Sequence, residues 1–89
     1  MEFGVYLVRR DEEPFYVDGR CHEGTIRVGD RFRSTRSASD GVASPADLEV
    51  VRIEAYRLTM EFIDEGQTAR LFVRGIGLDR LEKGSVLTG

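Results

Sequence analysis

A single cysteine, a single histidine and a row of arginines are the residues of this chain with chemistry to offer. Cys21 and His22 stand together in "GRCHEG" with Glu23 beyond them. An imidazole beside a carboxylate is the pair from which an acid or a base is made. Strand alternation separates these neighbours, however, sending Cys21 inward as a small apolar filler and His22 outward to a turn, where it has no nucleophile to serve. Asp64 and Glu65 adjoin Gly66, and adjacent carboxylates in a turn are solvated rather than a working acid and base or a metal site. One thiol can form no internal disulfide and no cysteine-based zinc site. These residues assign no catalytic group, no metal site and no cofactor.

The arginines are the stronger signal. Of thirteen basic side chains, all but Lys83 are arginine, the residue suited to bidentate contact with phosphate or carboxylate. Arg27, Arg31, Arg33 and Arg36 fall within ten residues, and period two places Arg31 and Arg33 on one face, opposite Phe32. Two readings follow. Either the four form a patch for phosphate or for an acidic partner, or they are a solvated strand face balanced by Asp30 and neighbouring acids.

The elements that must position these groups read as strands. Alternation runs through residues 4–8, 15–21, 25–28, 31–33, 48–57, 58–63, 68–73 and 85–87, with Gly24, Gly29, Gly66, Gly75, Gly77 and Gly84 at the turns between them. No helical stripe exceeds one turn. Residues 77–84, with Leu78 and Leu81 three apart, fit a single helical or 3₁₀ turn. The pattern predicts an all-β fold, a small antiparallel barrel or sandwich. Residues 20–32 read as a hairpin whose arms send Val17, Gly19, Cys21, Ile26 and Val28 inward and Asp18, Arg20, His22 and Arg27 to water. Residues 34–47, rich in Ser, Ala, Asp and Gly and with Val42 as their one large aliphatic side chain, predict a mobile loop.

Eighty-nine residues predict one domain with one core. Hydrophobic residues at 40% and charged residues at 33% describe a globular chain, and no apolar run approaches the ~20 residues of a membrane span. The start "MEFGVYLVRRDEE" lacks the features of a signal peptide, so the expected compartment is the cytoplasm. The formal net charge of −3 argues against a diffuse electrostatic grip on nucleic acid, though a local patch can still work.

Two blocks in order, "DGRCHEGTIRVGDRF" and "RGIGLDRLEKGSVL", resemble domain II of the translational GTPases, the family of elongation factor Tu. The resemblance rests on Gly19, Arg20, Gly24, Ile26, Gly29, Asp30, Arg74, Gly75, Ile76, Gly84, Val86 and Leu87, and extends from about Phe3 to Gly89. It implies the closed β-barrel of that domain, with structural turns at Gly24, Gly29, Gly75 and Gly84. In that family Arg74 would hold neighbouring backbone or carboxylates at the closing turn. The family's nucleotide chemistry does not follow, because the chain has no G-x-x-x-x-G-K-[ST] loop to cradle phosphates. In elongation factor Tu a Gly-Arg-Gly segment and the next strand receive the aminoacylated end of transfer RNA. The matching residues here are Glu12, Glu13 and Pro14, so that site is not carried over.

The expectation is therefore a non-enzymatic binding module whose partner is a protein, with the arginines as a rim that steers an acidic surface. Binding of transfer or ribosomal RNA is the alternative, and a structural or regulatory subunit of a larger assembly the second alternative.

Overall fold

The computed structural model describes Met1–Gly89. Its strands are β1 (Glu2–Arg9), β2 (Tyr16–Glu23), β3 (Ile26–Arg27), β4 (Arg31–Arg36), β5 (Ala43–Ala55), β6 (Leu58–Met60), β7 (Phe62–Ile63), β8 (Thr68–Ile76) and β9 (Val86–Thr88), with one 3₁₀ turn, η1 (Leu78–Arg80). Pairing runs β4-β9-β1-β2-β8-β5, and β5 returns to β4, which closes a six-stranded antiparallel barrel. The long strand β5 makes closure work: its first half pairs with β4, its middle with β8 and its end with β6, which extends beyond the ring. Closure removes most of the exposed edges that an open sheet would carry. No helix is long and apolar enough to cross a membrane.

Alternation builds the core. Val17, Gly19 and Cys21 from β2, Leu71 and Val73 from β8, and Phe3 and Val5 from β1 point inward with Phe32, Leu48, Val50 and Leu87. Two β-bulges break the period where the wall must bend. In β1, Val5 lies opposite Gly19 and Leu7 opposite Asp18, so Tyr6 has no counterpart and turns to solvent. In β5, Val50 lies opposite Val73 and Arg52 opposite Phe72, so Val51 is extruded in the same way. The barrel also needs close backbone approach: a Cβ on Gly19 would lie 1.9 Å from the Gly4 carbonyl oxygen. Gly24, Gly29, Gly75 and Gly84 all take positive φ, from 75° to 128°.

Three expectations are corrected. Residues 20–32 do not form a hairpin, because both edges of β2 are already taken, by β1 and β8. The chain instead leaves the barrel at Gly24, and β3 pairs with β7, Ile26 opposite Ile63 and Arg27 opposite Phe62. Val28 consequently faces solvent, 46% exposed, while its amide donates to the Glu61 carbonyl. Residues 34–47 are not one loop either. Ser34, Thr35 and Arg36 pair with Pro45, Ser44 and Ala43, leaving only residues 37–42 as the connection. Strand pairing satisfies main-chain groups whatever the side chains, so a composition poor in apolar residues does not prevent it.

Candidate interaction surface

The structure distributes the four arginines singled out from the sequence. Arg31 and Arg33 leave β4 on its outer face, either side of buried Phe32, and both approach Asp47 on β5, at 2.8 Å and 4.0 Å. Arg31 also lies 3.6 Å from Glu49, which holds Arg74 of β8 at 3.0 Å. The hydrogen bond to Asp47 raises the Arg31 pKa, its nearby charge adding to the effect. These are exposed pairs of small energetic weight, but they commit the guanidiniums to partners within the chain. Arg36 closes β4 beside the 37–42 connection and has no ion pair. Arg27 stands apart on β3, its guanidinium 5.7 Å from the centre of the Phe62 ring.

Around Arg27 lies a surface of a different kind. Val28, Val51 and Phe62 are exposed by 46%, 38% and 44%, and together with Met60 they line a groove of about 550 Å³. Arg27 and Arg52 flank it, the second 5.5 Å from the centre of the Phe72 ring and 2.8 Å from Glu54. Val51 is shared with a neighbouring groove of about 640 Å³, whose apolar lining is Phe15, Val73 and Leu78. The extruded valine is thus the ridge between two depressions. Scattered exposed hydrophobic residues are ordinary, whereas a contiguous set with an arginine rim has the composition of a docking surface. Sequence reasoning missed Val51 and Arg52. The signal was the adjacent pair Val50-Val51, which interrupts the alternation of "LEVVRIEA" as a bulge does.

The remaining chemical groups are occupied. His22 Nδ1 lies 3.1 Å from a Glu2 carboxylate oxygen. Cys21 is fully buried, its thiol donates to the Gly24 carbonyl at 3.2 Å, and desolvation pushes its pKa up. Asp64 accepts from the Thr25 hydroxyl at 2.9 Å, which ties the turn before β8 to the start of β3. Asp18 receives both arms of Arg70, at 2.8 Å and 3.0 Å, and that guanidinium stacks 3.9 Å from the Tyr16 ring centre. No three His, Cys, Asp or Glu side chains gather as metal ligands.

No family model matches the chain. In structure it is similar to translation elongation factor SelB from Methanococcus maripaludis in its apo form, with a TM-score of 0.76 over 97% of this chain at 14% sequence identity. The chain spans 18% of the length of that protein. The likeness is one of fold: the closed barrel is the domain II type that the glycine-punctuated blocks of the sequence imply.

Proposed function

We propose that this chain is a non-enzymatic binding module in a translation-related setting, and that its partner is a protein docking on the ridge at Val51. The carrying observation is the contiguous exposure of Val28, Val51 and Phe62 between Arg27 and Arg52. An apolar centre with guanidinium edges suits a protein surface, where buried aliphatic and aromatic groups anchor and rim charges steer. A phosphate backbone asks for a cluster of unpaired cations, and Arg31, Arg33 and Arg74 already face Asp47 and Glu49. An enzymatic reading finds carboxylates in the grooves, Glu13, Asp79 and Glu61, but no histidine or cysteine beside them: His22 is held at Glu2 and Cys21 is sealed in the core.

The test is cross-linked capture from an extract of the source organism, with and without nuclease, comparing the native chain with Val51→Asp and with the pair Arg31→Ala and Arg33→Ala. A carboxylate on an exposed bulge should leave melting within about 3 °C of the native value. The expected result is a protein species that survives nuclease, falls at least tenfold in Val51→Asp and persists in the double alanine variant. Capture that vanishes with nuclease, or with the Arg31 and Arg33 changes alone, would replace this reading by RNA binding.

A further inference from the structure

The hairpin between β5 and β6 turns in two residues, Tyr56 and Arg57, with Ala55 paired to Leu58 on either side. Both turn residues have positive φ, 54° and 64°, the signature of a type I′ turn. Such a turn is met at least cost by Asn-Gly, since an L side chain in the left-handed region is strained. Packing does not explain the choice of Tyr and Arg, because Tyr56 is 68% exposed and Arg57 has no ion pair or side-chain hydrogen bond. Neither the backbone nor the core selects these side chains, so the turn keeps them against its own conformational preference.

They are not isolated. Tyr56 and Arg57 line an open groove of about 420 Å³ together with Tyr6, the residue extruded by the β1 bulge and itself 49% exposed. Its floor is lowered by small residues, Gly19, Ala55 and Ala69. Two carboxylates also reach it, Asp18 and Glu54, but each is already paired, with Arg70 and with Arg52. One free charge remains, the Arg57 guanidinium.

We infer that this groove binds an extended, proline-containing peptide segment that carries a carboxylate. Tyrosine rings over a shallow floor offer flat faces to prolyl rings and hydroxyls to the carbonyls of a polyproline II chain, which loses little entropy on binding. Arg57 supplies the pairing site for the acidic side chain. A nucleic acid strand would find the same rings, but it brings a phosphate with every nucleotide, and the groove has one unpaired cation to meet them. The inference stands apart from the Val51 face, with which this groove shares no lining residue.

The test uses the whole ¹⁵N-labelled chain titrated with a synthetic peptide of alternating proline and glutamate. Saturable shifts should centre on Tyr6, Tyr56 and Arg57. The variant carrying Tyr56→Asn and Arg57→Gly should melt higher than the native chain, because it gives the turn its preferred residues, and should bind the peptide at least tenfold more weakly. Val51→Asp should bind it normally. A peptide of glycine and glutamate binding equally well, an oligouridylate producing the same shifts, undiminished binding by the double variant, a lower melting point for it, or no shifts at these residues would each overturn the inference.

Discussion

The arginines on two faces of this barrel meet opposite fates, and strand register decides which. On the face of β4, β5 and β8, Glu49 lies directly across from Arg31 on one side and Arg74 on the other. Arg31 and Arg74 find the Glu49 carboxylate at 3.6 Å and 3.0 Å, and Asp47 takes a hydrogen bond from Arg31 and lies 4.0 Å from Arg33. On the second face Arg27 lies opposite Phe62, and Arg52 lies opposite Phe72. The guanidinium carbons lie 5.7 Å and 5.5 Å from the centres of those rings, and of the two Arg52 is also held 2.8 Å from Glu54 while Arg27 has no ion pair. The same residue type is therefore consumed internally at Arg31 and Arg74, where register sets it against an acid, and keeps no carboxylate partner at Arg27, where register sets it against Phe62.

The largest effect expected comes from disturbing the register of the first face. Gly75 is paired with Leu48, has φ of 128°, and would place a Cβ 2.0 Å from the Asp47 carbonyl oxygen. Gly75→Ala therefore meets both a steric block by backbone and a forbidden dihedral. Urea unfolding should report a loss of at least about 3 kcal/mol. Unchanged stability would mean that β8 can slide past Asp47, and that the pairing of Glu49 with Arg74 does not depend on a fixed register.

A smaller effect should follow from removing the acids while keeping their shape. Asp47→Asn with Glu49→Gln leaves Arg31, Arg33 and Arg74 without carboxylate partners on an exposed face. Fluorescence anisotropy with a labelled oligouridylate should show binding about tenfold tighter than that of the native chain at low salt, declining as salt rises. This variant converts the first face into the unpaired condition assumed by an RNA-binding reading. If binding does not increase, the silence of that face has a cause other than internal neutralisation.

The barrel was legible in the sequence because most strands announce themselves locally, by alternation between turn glycines, and the turn at η1 by Leu78 and Leu81. Alternation read through 48–57 and 58–63 instead hides the turn at Tyr56 and Arg57 and the break between β6 and β7. Partnerships were not legible in the same way. Residues 20–32 carry the local signature of a hairpin, yet β2 is claimed on both edges by β1 and β8, strands drawn from distant parts of the chain. Residues 34–47 misled for the converse reason, since composition speaks for side chains and their order comes from main-chain pairing. The arginine cluster was correctly placed on exposed strand surface at Arg31 and Arg33. That Arg27 belongs to a different surface depends on its pairing with Phe62, and no local pattern carries that information.

The smallest effect distinguishes the two faces by their response to salt. Arg31 acts on its surroundings through charge, at 2.8 Å from Asp47 and 3.6 Å from Glu49, both exposed enough for mobile ions to compete. Arg27 has no ion pair and lies against the Phe62 ring, where its contribution is contact and quadrupole attraction. Arg31→Ala and Arg27→Ala should each lower the melting temperature by only about 1–4 °C in dilute buffer. In about 1 M sodium chloride, where the screening length falls to about 3 Å, the deficit of Arg31→Ala should disappear while that of Arg27→Ala persists. If both deficits vanish, Arg27 acts through long-range charge and the two faces differ only in degree. If the Arg31→Ala deficit persists instead, its side chain serves by packing over β5, and the internal neutralisation of the first face is incidental to its stability.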